Sequence, residues 1–473
     1  MFEKFDTIGS WWLPENPEKT LHGTLSYGPD SGAVLTLMGS FETEGKATKY
    51  HEYDIINGDA GGGITLFRCS TIEFPMIIWN ESTVSTKCYA SYVFKGHIFK
   101  KTSDIKFRYA RINFSHLESW ISYPMITSTF KKGIFDLTTS KFQPIIAKID
   151  DNLQISLNLF TLPSSELKKD GMEIRIKERA YVDFETRTDI DFETCLEISS
   201  IFQQFLTVAV NRPVWMQEFT IEISDDGESD KPVSIFFKAP QILSEKNKYV
   251  HPSEMAFSLK NISDRYESVL KNWFEKRQFL GQIFNLYFAL QYSEKMYIEH
   301  RFLNLVSYLE SYHRRQFDGQ YLSPENYTDF KRLLIESIPI IADNNFGEFK
   351  TKFIRSLEYG NEFSLRTRLK IIYDDSRSII SKYIPNRGQF IDKVVDTRNF
   401  RTHFDKTLEK SAISSVNDYY EYNLKLKMLV EICIFKELGF GLDEIDTFFS
   451  RNREYQHLIH PTAGEATLET ARL

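Results

Sequence analysis

The chain has 473 residues, 42% of them hydrophobic and 26% charged, and its 58 Lys and Arg against 65 Asp and Glu leave a formal charge of −7. Such a composition excludes a disordered or fibrous chain, and the length suggests two or three domains of roughly 100 to 200 residues each. The acidic total argues against broad contact with nucleic acid, because affinity for a phosphate backbone comes largely from Lys and Arg.

The charge is unevenly placed. Residues 1–250 carry 27 basic and 34 acidic side chains, whereas residues 251–473 carry 31 of each, so the whole excess of acid lies in the first half. With 39 Phe, 24 Tyr and 6 Trp the chain can fill large cores without disulfides. Cys69, Cys88, Cys195 and Cys433 are widely spaced and form no C-x-x-C pair, so they read as reduced thiols and no metal site is expected. Charged residues precede any apolar run at the N-terminus, and no stretch approaches the roughly 18 apolar residues of a membrane span. The expectation is a cytoplasmic protein with no membrane partner.

From about residue 21 to 240 the dominant period is two. Residues 24–27, the turn Gly28-Pro29-Asp30-Ser31-Gly32, and residues 33–38 read as strand, tight turn and strand. Further β-branched or aromatic runs fall at 89–94, 105–114, 153–160, 172–184, 219–223 and 233–237. Gly58 to Gly63 resembles a phosphate-cradling loop, but no Lys-Ser/Thr follows it and its flanks read as strands, which favours a hairpin loop. The acidic stretch Asp225 to Asp230 reads as a solvated loop. One segment breaks the pattern: in 193–210 the residues Leu196, Ile198, Ile201, Phe202, Phe205 and Leu206 recur every three or four positions, predicting a helix packed on the sheet.

After Val250 the period becomes 3.6. Pro252 and Ser253 offer a helix start, and helices are predicted at 255–276, 279–290, 298–315, 324–336, 349–357, 365–372, 389–404, 415–438 and 442–450. Ser323 and Pro324 supply an N-cap and a first helical residue, and Gly439 stands where the longest helix should end. The fold class is therefore α+β in two domains: a β-rich domain, sandwich or barrel-like, over 1–245, an all-α bundle over 250–460, and a flexible tail over 461–473.

In the helix at 389–404 the apolar stripe Ile391, Val394, Val395 continues into Arg398, Asn399, Thr402 and His403. The helix at 298–315 behaves alike: Phe302, Leu303, Val306 and Leu309 lead into Glu310, His313 and Arg314. Two readings stand for each. The polar residues are a helix end emerging into solvent, with Glu310 and Arg398 at most a register-fixing ion pair, or an acid and a base meet in the bundle.

Arg398-Asn399-Phe400-Arg401-Thr402-His403 has the R-N-x-x-x-H form of the HEPN superfamily, many of whose members are RNA endonucleases. R-x4-H alone is weak: with 23 Arg and 10 His, about one such chain in two contains it by accident. Arg111 to His116 repeats the spacing in a strand-like run, and Arg451-Asn452 to His457 gives R-N-x4-H beyond the last apolar helix. The helix order around Arg398 is that of a HEPN bundle, with 301–313 resembling its early helix. The opening Gly9-Ser-Trp-Trp-Leu-Pro14 with Leu21-His-Gly-Thr-Leu-Ser-Tyr27, placed ahead of it, is similar to the ApeA family of bacterial anti-phage proteins.

That resemblance implies metal-independent RNA cleavage, in which a ribose 2′-oxygen attacks phosphorus and leaves 2′,3′-cyclic phosphate and 5′-hydroxyl ends. It implies His403 in proton transfer, Arg398 on the phosphate, Asn399 on the phosphate or the histidine, and Glu310 as the acid of the set. A homodimer through the HEPN domain, a structured RNA such as tRNA as substrate, and a phage-derived trigger sensed by the β domain are the expected partners. The cations Arg387, Lys393, Arg398, Arg401, Lys406 and Lys410 would supply a small basic cleft. The alternative is a non-catalytic HEPN-like dimerisation or protein-binding module, with the β domain recognising a protein or glycan.

Overall fold

In the computed structural model the described residues are 3–42, 49–78, 81–168, 171–223, 231–239, 250–251, 254–293, 295–317, 319–341 and 343–459. The chain divides into two compact units, Met1–Phe274 and Glu275–Leu473.

The first unit begins with β1 (Phe5–Leu13), β2 (Asn16–Gly28), β3 (Gly32–Met38), β4 (Lys49–Asp59), β5 (Gly63–Ile78) and β6 (Glu81–Lys95). They pair antiparallel in the order β6-β3-β2-β1-β4-β5, and β5 pairs back to β6, so the six strands close into a barrel. Of the sandwich and barrel expected for this half, the barrel forms. Alternation along the strands fills it: Leu25 and Tyr27, Ala33, Leu35 and Leu37, and Ile64 and Leu66 point inward with Trp11 and Cys88. Trp11 is fully buried, and Gly58 makes room for it, since a Cβ there would lie 2.2 Å from the indole ring. The turn between Asp59 and Gly63 is the expected hairpin loop: the Asp59 carboxylate accepts from the N–H groups of Gly61 and Gly62, both at 3.2 Å.

The unit continues with β7 (Lys106–Phe114), α1 (Leu117–Ile121), β8 (Ile126–Lys131), β9 (Ile134–Thr139), β10 (Ile145–Lys148), β11 (Leu153–Lys168), β12 (Gly171–Asp191), α2 (Phe192–Val210), β13 (Met216–Ile223) and β14 (Lys231–Phe237). Beyond Ala90, which pairs with β3, β6 takes β14 as its neighbour, and the sheet runs on as β14-β13-β7-β12-β11-β10; β8 and β9 pair only with each other. The predicted helix at 193–210 is α2, started by Asp191, whose carboxylate accepts from Thr194 N–H at 2.8 Å. Its buried residue Phe202 meets the rings of Phe114 on β7 and Phe184 on β12. The acidic stretch Asp225 to Asp230 and the proposed helix start at Pro252 and Ser253 lie outside the described residues.

The switch from strand to helix does not coincide with the division between units. Phe257, Leu259, Ile262, Tyr266 and Trp273 are buried in the first unit; Trp120 Nε1–H donates to Phe257 O at 3.1 Å and Trp273 Nε1–H to Ile201 O at 2.8 Å. The boundary expected near 245–250 therefore moves to Phe274. The two helices expected at 255–276 and 279–290 are one, α3 (Tyr266–Tyr292). Gly281 costs that helix only about 1 kcal/mol, and Leu280, Ile283, Phe284 and Tyr287 keep the buried spacing across it.

The second unit adds α4 (Ile298–Gln316), α5 (Pro324–Glu336), α6 (Phe346–Ser356), α7 (Leu365–Asp375), α8 (Arg377–Ile380), α9 (Arg387–His403), α10 (Val416–Glu437), α11 (Leu442–Arg451) and α12 (Arg453–Ile459). Ser323 caps α5 by accepting from Asn326 N–H, Pro324 is its first residue, and Gly439, at φ 91°, ends α10. Helix α10 is buried on nearly every side through Leu424, Leu426, Met428, Leu429, Val430, Ile432, Ile434 and Phe435, so it is the bundle's centre. Helix α4 packs on α10, and α7 and α9 pack on α4. No helix is predicted beyond residue 450, yet α12 follows and joins the bundle, where Tyr455 is fully buried and its O–H donates to Glu431 at 2.5 Å. The flexible tail expected over 461–473 lies outside the described residues.

Candidate active site

Helix α9 carries three of the four expected residues. Asn386 caps it, Phe390, Ile391, Val394 and Thr397 anchor it, and the last turn then emerges with Arg398 and Asn399 half-buried and His403 exposed. Thr397 closes the anchored part: its hydroxyl donates to Lys393 O at 2.7 Å and accepts from Ile413 N–H at 2.9 Å. Phe404, in the left-handed region at φ 51°, stops the helix directly after His403.

Glu310 comes from α4, and its carboxylate lies 3.5 Å from Arg398 Nη2. Arg398 Nη1–H also donates to Asn399 Oδ1 at 3.1 Å. The structure thus brings Arg398, Asn399 and Glu310 together, and the ion pair considered from the sequence is present. The pair sits near the surface, with side chains 33% and 19% exposed. His403 stands one turn beyond Asn399 on the same helix, without a hydrogen-bond partner among the described residues. It adjoins Asp405, whose carboxyl is held below its usual range by the hydroxyl and N–H of Thr407, with a smaller contribution from His403.

Arg314 and His313, named with Glu310 from the sequence, and Glu362 and Arg368, which were not, complete the surroundings. Arg314 pairs with Glu310 at 3.2 Å and with Glu362; Glu362 lies 3.7 Å from Arg368. Charges therefore alternate from Arg398 through Glu310, Arg314 and Glu362 to Arg368. The guanidinium of Arg368 is 1% exposed and donates to Phe363 O at 3.0 Å and to His313 Nδ1 at 3.1 Å. An arginine can only donate, so His313 Nδ1 must accept and the ring proton sits on Nε2. Burial first, then Arg368 and Arg314, push the His313 pKa down to about 4, so the ring is neutral at pH 7. His313 is a fully buried core histidine, not a base in an open site. The sequence signal for Arg314 was its i+4 spacing from Glu310; nothing marked Arg368, which occupies an apolar position of α7.

The expected basic cleft is largely neutralised. Arg387 is paired with Asp374, Arg398 with Glu310 and Arg401 with Glu299, while Lys393 donates to Ala412 O at 3.1 Å. Lys406 and Lys410 are exposed without an ion pair among the described residues. The other spacings fall elsewhere. Arg111 is bound by both oxygens of Asp183 at 2.8 Å inside the sheet, and His116 begins α1. Arg451 ends α11, and Asn452 is buried with its amide oxygen accepting from Glu454 N–H.

Among the described residues no cluster of three or more His, Cys, Asp or Glu could hold a metal ion, and no helix is long and apolar enough to cross a membrane. Two family models match the chain: ApeA N-terminal domain 1 over residues 6–273 and Apea-like HEPN over residues 303–444. The second range holds Glu310, Arg398, Asn399 and His403 and stops short of Arg451. No curated protein and no solved structure matches the chain. With a barrel-based ApeA domain over more than half its length and a HEPN bundle after it, the chain belongs to the ApeA-like anti-phage HEPN family, a family of nucleases.

Proposed function

We propose that this protein is an endoribonuclease whose helical unit cuts RNA without a metal. The 2′-oxygen of one nucleotide bonds to the adjacent phosphorus, the bond from phosphorus to the 5′-oxygen breaks, and the proton lost from the 2′-hydroxyl is balanced by one delivered to the leaving 5′-oxygen. His403 carries one of these transfers, since imidazole is the side chain that titrates nearest neutrality. Arg398 holds the non-bridging phosphate oxygens and opposes the charge that grows in the transition state. Asn399 donates to the phosphate or orients the histidine. Glu310, already carrying Arg314, fixes where the Arg398 guanidinium waits before RNA arrives.

The observation that carries this reading is the meeting of Glu310, Arg398 and Asn399 at the end of the helix that presents His403 to solvent. Two such ends brought together by a homodimer would form one cleft, which fits RNA better than the few free cations of one chain do. A structured RNA such as tRNA as substrate, and a phage-derived trigger sensed by the β-rich unit, belong to the same proposal. Incubating wild-type protein and His403→Ala with total RNA tests it: the wild type should cut and the variant should not, with dimerisation unchanged. Equal cutting by both sinks the site assignment.

The pairing of Arg398 with Glu310 also favours a second reading, a non-catalytic HEPN module in which that pair only fixes register. Failure to produce 2′,3′-cyclic phosphate ends under any activating condition would support it.

A further inference from the structure

A cleft of about 350 Å³ opens in the second unit on a face of α4 away from Glu310. Arg301 lines it. Nine residues separate Arg301 from Glu310, and at about 100° per residue they fall on opposite sides of the helix, roughly 13 Å apart along it. Leu290, Met296, Leu305 and Leu424 give one apolar part of the wall, Gln291 and the paired Lys427 and Glu454 a polar part, and the ring of Tyr420, 47% exposed, stands beside them.

One cation in this cleft is unpaired. The half-buried Arg301 guanidinium has no ion pair or hydrogen bond among the described residues, although burial in that position favours a partner. The acids nearby are already engaged: Glu454 lies 2.8 Å from Lys427, and Glu431 accepts from Tyr287 and Tyr455.

We infer that this cleft binds a small amphipathic anion, with an aromatic body against Tyr420 and the apolar part of the wall and one phosphate or carboxylate on Arg301. Its volume is at the lower end of the range for small-molecule sites, roughly 300–1,000 Å³. The site stands independently of the nuclease reading, because nothing in it belongs to the cluster at Arg398.

Calorimetric titration of the full chain tests the inference with two probes and their neutral counterparts: AMP against adenosine for the phosphate form, and N-acetyltryptophan against its amide for the carboxylate form. At least one anion should bind saturably at or below millimolar concentration, and its neutral counterpart and the Arg301→Gln variant should each weaken binding about tenfold or more, the loss of a charge-assisted contact. Arg301 is unpaired, so the variant should melt as the wild type does without ligand. Tyr420→Ala, at an exposed position, provides a second variant that should weaken the same probe. No saturable binding of either anion, equal binding by the neutral counterpart, or undiminished binding to Arg301→Gln overturns the inference.

Discussion

Replacing Arg398 by Ala separates a catalytic guanidinium from a structural one by magnitude. The ion pair it would remove is 3.5 Å long with side chains 33% and 19% exposed, and pairs in such settings contribute about 0 to 1 kcal/mol. Glu310 would not be stranded, because Arg314 remains at 3.2 Å. Asn399 would lose one donor and recover it from water. The melting temperature should therefore fall by no more than about 2–4 °C for a unit of this size. If the same guanidinium stabilises the transition state, its removal should cost about 3–4 kcal/mol, a fall of roughly a hundredfold to a thousandfold in rate. Single-turnover cleavage of a labelled RNA, run beside thermal unfolding, reads both quantities. Activity within about threefold of wild type would refute the role, as would a large loss of stability that tracks the loss of rate.

Three other outcomes follow from the packing. The His313 pKa is about 4 when folded and near 6.5 when unfolded, so the unfolded chain binds the extra proton between those values. Stability is full above pH 6.5 and should fall by about 3 kcal/mol as pH drops toward 4; His313→Gln should remove that slope, and an unchanged slope would mean other groups set it. Tyr455→Phe should cost the helical unit about 1–3 kcal/mol in urea unfolding by leaving buried Glu431, whose carboxyl is pushed up by burial, short of a donor; no loss would mean that α12 is dispensable. Gly58→Ala should destabilise the barrel by about 1–3 kcal/mol, because its Cβ would collide with the buried Trp11 ring; a neutral result would mean that the ring moves freely.

The sequence was most readable where local chemistry and packing agree. Helix α5 begins at Pro324 as its Ser323 cap and first-position proline dictate, and α2 appears among strands because its three- and four-residue spacing matches the buried face it presents. The R-N-x-x-x-H spacing placed Arg398 and His403 at the emerging end of α9, and the shared face of α4 placed Glu310 within reach. What escaped depends on contacts distant in the chain. Nothing in the sequence marks Arg368 on α7, yet it is buried, with Phe363 O and His313 Nδ1 accepting its donors and Glu362 balancing its charge at 3.7 Å. The six cations near the motif suggested a basic cleft, but acids from α4 and α7, Glu299, Glu310 and Asp374, answer three of them. Residues 453–459 are too few to show a period, and only the fit of Tyr455 against Glu431 makes them part of the bundle. The unit boundary slipped because periodicity reports where strands give way to helices, whereas Phe257 and Trp273 decide which core those helical turns join.

In the proposed reaction His403 and its neighbours cut RNA by attack of the 2′-oxygen. Mass analysis of the 3′ ends left by the wild-type protein in EDTA, beside His403→Ala, tests it most directly. The wild type should leave 2′,3′-cyclic phosphate paired with 5′-hydroxyl ends, undiminished by the chelator, and the variant should leave the RNA intact. Ends bearing 3′-hydroxyl and 5′-phosphate, or cutting that disappears in EDTA and returns with magnesium, would contradict it.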